Sequence, residues 1–86
     1  MRYMLIETFK PGAKAAVYER FHRGGRMLPE GLQYIDSWLE QDGDRCFQLM
    51  AADDPELLER WMSHWRDLID FEVIVIGEKP DASSAS

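Results

Sequence analysis

Residues 45–62, RCFQLMAADDPELLERWM, decide how this chain folds. Positions 45–51 carry strand-forming residues over a length that suits one strand. Asp53-Asp54-Pro55-Glu56 then has the chemistry of a helix start. Asp54 offers a side-chain oxygen to an unsatisfied N–H, Pro55 sits where no N–H is required, and acid lies near the positive end of the helix dipole. The predicted helix runs to about Leu68. At about 100° per residue, Leu57, Leu58, Trp61, Met62, Trp65, Leu68 and Ile69 share one arc, and Glu59, Arg60, Ser63, Arg66 and Asp67 fill the other.

The elements on either side complete a repeating plan. Downstream, FEVIVIG (71–77) reads as a fourth strand, and EKPDASSAS (78–86) as a polar, disordered tail. Upstream, Asp42-Gly43 marks a hairpin that joins strand 3 to a second strand over 32–40, LQYIDSWLE. RMLPEG (26–31) is a connection with turn chemistry. AKAAVYERFHRG (13–24) predicts a helix whose narrow apolar stripe is Ala13, Val17, Phe21 and Gly24, and Gly24-Gly25 stops it. RYMLIETF (2–9) is a first strand, ended by Lys10-Pro11-Gly12. The order β-α-β-β-α-β predicts one α+β domain over 1–77 with the ferredoxin-like arrangement: a four-stranded antiparallel sheet in order 4-1-3-2, both helices on one face.

Composition narrows the function classes. The chain has 86 residues and a formal net charge of −6, too acidic for general phosphate neutralisation, so no nucleic acid is expected as partner. Its single cysteine, Cys46, cannot close an internal disulfide, and the apolar part of MRYMLIETFKPG is too short for a secretion signal. No run approaches the ~20 apolar residues of a membrane span. These readings predict a cytoplasmic chain that does not enter a membrane.

The sheet poses a harder question. A sheet with one wet face should alternate apolar and polar residues, and these strands do not. Phe47, Leu49 and Ala51 are the expected helix-facing set on strand 3. The uncovered face is then expected to carry Leu5, Phe9, Tyr34, Trp38, Met50, Ile74 and Ile76. Such a patch exceeds what a soluble monomer exposes, and it predicts a homodimer with two sheets face to face.

The stretches IETFKPG (6–12), GRMLPEGL (25–32), SW (37–38), RCFQLM (45–50) and WRDLIDFEV (65–73) resemble a family of short bacterial proteins known only as a domain of unknown function, which in turn resembles the dimeric α+β barrel superfamily. That resemblance covers about residues 1–77 and implies the fold and the dimer. The wider superfamily includes cofactor-independent monooxygenases, muconolactone-type isomerases and haem-degrading enzymes, so the resemblance does not hand over one reaction.

Candidate chemistry is sparse. No phosphate-binding glycine fingerprint, metalloprotease helix or zinc cysteine pattern occurs, and no metal or cofactor is expected. The acids Glu40, Asp42 and Asp44 lack calcium-loop spacing and read as a solvated hairpin. His22 is expected to face water. His64, at the edge of the second helix's stripe, is a boundary histidine and the one candidate for an axial haem ligand. Cys46 could be a nucleophile if a nearby cation or base lowered its pKa, or a ligand contact, and it reads foremost as a packing cysteine. Polar groups set among apolar neighbours are more suggestive. Glu7 and Gln48 are the candidate catalytic pair, as general base and substrate-orienting amide; the same residues also fit a polar network that sets dimer register. Tyr34 and Trp38 are candidate apolar walls. Residues 1–35 carry net +3 and residues 36–86 net −9, so the basic half could take an anion, with Arg20 or Arg26 as its contact; Arg20 could instead pair with Glu7. Two functions follow: a dimeric module that binds a small anionic or aromatic ligand, or a cofactor-independent monooxygenase or isomerase.

Overall fold

A computed structural model describes residues 1–80 of the chain. The elements are β1 (Arg2–Phe9), α1 (Lys14–Gly24), β2 (Leu32–Leu39), β3 (Arg45–Ala52), α2 (Pro55–Ser63) and β4 (Ile69–Ile76). The strands form one antiparallel sheet in order β2-β3-β1-β4, as the sequence predicts. Asp54 caps α2 by accepting from the Glu56 N–H at 2.9 Å, with Pro55 opening the helix. Residues 81–86 of the expected tail lie outside the described residues.

α2 is shorter than its apolar arc suggests. It ends at Ser63, and turns carry the chain to Ile69, where pairing with Phe9 begins β4 two residues earlier than expected. The Arg20 guanidinium donates to the His64 carbonyl at 2.8 Å, which satisfies one of the acceptors left free at the helix end. Trp65 stays buried although it lies beyond the helix, so the apolar period outlasts the helical backbone.

The faces of the sheet are reversed from expectation on two strands. Gln48, Met50 and Ala52, not Phe47, Leu49 and Ala51, are the buried set of β3, and Tyr3, Leu5, Glu7 and Phe9 are the buried set of β1. Leu5, Phe9, Met50 and Tyr34 therefore belong to the helix-covered face. Both sets are apolar and bulky, so alternation along one strand does not separate them, and packing of the assembled layers does. The bulky set Tyr3, Leu5, Phe9 and Met50 fills the layer beneath the helices together with Leu58, Trp61, Met62 and Trp65.

β2 adds a second correction. A register shift between Tyr34 and Asp36 leaves Ile35 unpaired, so Tyr34 pairs with Met50 but Ser37 pairs with Gln48. This bulge reverses the alternation: Leu32, Tyr34, Ser37 and Leu39 share the helix-covered side, and Asp36 and Trp38 share the open side.

The open face is nonetheless apolar. Across it run Asp36–Leu49–Met4–Ile74 in one row and Trp38–Phe47–Ile6–Glu72 in the next. Trp38 is 50 % exposed and Ile74 41 %. No helix of the described residues is long and apolar enough to cross a membrane.

One glycine is needed between α1 and β2. Gly31 has φ +93°, and a Cβ there would lie 2.9 Å from Leu57 Cδ1. Gly31→Ala is expected to cost about 1–2 kcal/mol through backbone strain and displacement of Leu57. Urea denaturation of the two proteins measures it, and an unchanged midpoint would contradict this packing.

Candidate functional site

α1 meets the sheet through small side chains. Only Val17 of the helix, with Ala13 just before it, is buried. Opposite stand further small residues, Ser37 and Cys46. The layer is therefore underfilled, and a cavity of about 610 Å³ opens between α1, the sheet and the Trp61–Trp65 side of the second helical region. Phe9, Phe21, Trp61 and Trp65 give it aromatic walls, and Glu7, Gln48, Arg26 and Cys46 its polar groups. The half-exposed lining residues Tyr18, Phe21 and Leu39 mark its mouth.

Glu7 is 5 % exposed, and its Oε2 has no hydrogen-bond partner among the described residues. Burial pushes its carboxyl up to about 7, against the opposing pull of the Arg26 guanidinium. Charged and neutral forms of Glu7 are thus both present near neutral pH. Gln48, 4 % exposed, donates from Nε2 to the Met50 thioether at 3.3 Å, a weak acceptor for a strong donor. Cys46 pairs with Glu7 across the strands. Burial, and then the Glu7 charge, push its thiol up to about 11 despite Arg26, so it stays neutral and is no activated nucleophile.

Arg26 is held at both ends. Its carbonyl accepts from the Trp61 indole at 2.7 Å and from the Trp65 indole at 3.2 Å. Its guanidinium lies 3.6 Å from the centre of the Tyr34 ring and 5.1 Å from that of Phe21. Backbone of positive φ surrounds it, at Gly25 (64°) and Met27 (59°). Among the described residues Arg26 makes no ion pair, which leaves its N–H groups free to meet an anion.

The structure thus brings together Glu7, Gln48, Arg26 and Cys46. Tyr34 backs the site from behind Arg26, its hydroxyl 2.6 Å from Ser37 Oγ. Trp38 does not reach the cavity, because the bulge turns it to the open face. Neither does Arg20: it forms a bidentate pair with Asp67 at 2.7 and 2.8 Å and not with Glu7. That pair holds the Asp67 carboxyl below its ordinary range. His22, expected in water, is exposed but lies on the cavity rim. His64 does not line the cavity. Sequence reasoning missed Trp61 and Trp65 as walls, since residues of a helix's apolar arc read as packing. Their indole N–H groups, which need buried acceptors, were the available signal.

The family described as Domain of unknown function (DUF3303) matches residues 1–85. No curated protein and no solved structure matches the chain.

Proposed function

Because the chain belongs to this family of unknown function, which brings no activity with it, we propose a role from the cavity itself: it binds a small aromatic molecule that carries an anionic group. The observation that carries this reading is a buried carboxyl oxygen without a partner, opening onto an aromatic-walled space. Groups left unsatisfied in a void cost stability, and a ligand that fills the void and meets them restores it. Aromatic rings stack on the walls, Arg26 takes the anion, and Glu7 and Gln48 orient the polar part. A single cysteine suits this role in the reducing cytoplasm.

The working unit is proposed to be a homodimer through the open face. Four strands of eight residues offer a footprint of about 500 Å² per copy, and about 1,000 Å² for two, the scale a specific interface needs. The face has an apolar centre and a rim of both charges: Arg2 and Arg45 on the central strands, Asp36, Asp70 and Glu72 on the edges. A second copy matches both features, and charges of both signs fix its orientation.

Titration with phenylacetate and indole-3-acetate tests the ligand reading, followed by quenching of the cavity tryptophans and by thermal shift. Millimolar ligand is expected to raise the melting temperature by several degrees. Arg26→Met, which keeps the aliphatic stem over Tyr34, is expected to weaken binding by about 10-fold or more. If neither probe quenches or stabilises the wild-type protein, the reading fails. A second reading, a cofactor-independent isomerase or monooxygenase, is favoured by one observation: Glu7 combines a titration near neutrality with the absence of an ion pair among the described residues.

A further inference from the structure

The polar groups of the cavity differ in kind, and the difference is chemical. Glu7 Oε2 is a potential proton acceptor that nothing occupies. Gln48 Nε2 is a donor spent only on a thioether. Arg26 is a cation fixed by its own carbonyl and by the Tyr34 ring, with no counter-ion among the described residues. A site built only to hold an anion needs the cation and not a buried base beside it. A base, separate donors and aromatic walls together are the components of proton abstraction next to a carbonyl.

We propose that this cavity catalyses enolisation of a small aromatic 2-oxo acid, or of a close analogue with an acidic C–H beside a carbonyl. The inference rests on the ligand reading above. Arg26 holds the carboxylate and the aromatic walls hold the ring. The Glu7 carboxylate takes the proton from the carbon next to the carbonyl. The C–H electron pair becomes the C=C bond, and the carbonyl π pair moves to oxygen, where the Gln48 amide stabilises it. The protonated Glu7 exchanges its proton with water through the cavity mouth and then delivers a solvent-derived proton, to oxygen to give the enol or to carbon to restore the ketone. Atoms and charge balance within the substrate, Glu7 and the water that exchanges with it, with no redox or group-transfer co-reactant.

Every element packed around Glu7 contributes to its surroundings. Cys46 of β3 and Phe71 of β4 stand opposite it in the sheet, Arg26 of the connecting segment acts on its charge, and Gln48 of β3, Tyr18 and His22 of α1, Ser37 of β2 and Trp61 and Trp65 of the second helical region line the same cavity. Arg26 is the permanent charge of this set. The Cys46 thiol is neutral through the physiological range, so it does not compete for the proton. A base that titrates near 7 is half available at neutral pH and still strong enough to accept a proton from carbon.

Phenylpyruvate in D₂O provides the test. Loss of its C3–H signal by NMR measures exchange, and tryptophan quenching measures binding in the same samples. The protein is expected to accelerate exchange at least about 100-fold over matched buffer, with a rate that rises through pH 7 and then levels. Glu7→Gln is expected to lose that acceleration while still binding phenylpyruvate. Gln48→Leu is expected to lower kcat more than it changes KM. Binding with exchange no faster than buffer overturns the enolisation and leaves the ligand reading intact. Absence of both binding and exchange overturns the two together. Exchange that survives in Glu7→Gln removes Glu7 as the base.

Discussion

Thermal unfolding of this protein is expected to become easier as the pH rises from about 5 to 8, the reverse of what paired carboxylates produce. Glu7 titrates at about 7 in the folded chain and at an ordinary 4.5 once unfolded. Between those values the folded state holds a proton that the unfolded state has released. Stability from this group is complete below the unfolded value and is lost as pH climbs through the folded one. The loss is on the order of 3 kcal/mol, which for a domain of this length lowers the melting temperature by more than ~10 °C. Glu40 and Asp67, held below their ordinary range by Arg45 and Arg20, act in the opposite direction. Their effect falls at acid pH, outside this window. Melting curves at fixed protein concentration, for wild type and Glu7→Gln, read the effect directly. The variant is expected to melt at nearly constant temperature over the same range. A wild-type profile that is flat or rising would mean that Glu7 meets water or a cation.

Two neighbouring substitutions are expected to have opposite consequences. Met50 is 0 % exposed beneath the helices, so Met50→Lys buries an ammonium group without a partner and is expected to leave the chain unfolded at 25 °C. Leu49 points to the other side of the same strand, among Met4, Phe47 and Ile74. Leu49→Lys is expected to keep a native circular dichroism spectrum and to shift the mass in sedimentation from about 20 kDa to the 10.0 kDa of one chain. A folded Met50→Lys would reverse the faces of the sheet. A wild-type protein that sediments as one chain at micromolar concentration would remove the dimer.

That pair of residues also shows what the sequence could convey. The order of elements was legible because turn and cap chemistry is local: Asp54-Pro55, Asp42-Gly43 and Lys10-Pro11-Gly12 each act within one turn of chain. Strand order followed from the handedness of the connections. Which side of each strand faces the helices was not legible, because alternation identifies a buried face only when the other face is polar. Here Leu5 and Met50 compete with Ile6 and Leu49 on nearly equal terms. The extra residue at Ile35 leaves only a faint mark in the sequence, since the adjacent apolar pair Tyr34-Ile35 breaks alternation but is equally what a strand apolar on both faces shows. Glu7 and Gln48 stood out as polar residues in apolar strands, whichever way those strands face. The cavity could not be read at all. It arises from what small side chains on α1, β2 and β3 fail to fill, a property of the assembled layers and not of any one segment.

Both cavity indoles are tied to a single point, the carbonyl of Arg26. The same residue's side chain covers Tyr34. The peptide group at that position is in effect a common pin for two walls and for the cation beside them. A guest that shifts this carbonyl disturbs both indoles at once, whereas one that leaves it in place keeps both anchored. Displacement of the Arg26 peptide should therefore be felt at Trp61 and Trp65 together, as one joint change in their fluorescence.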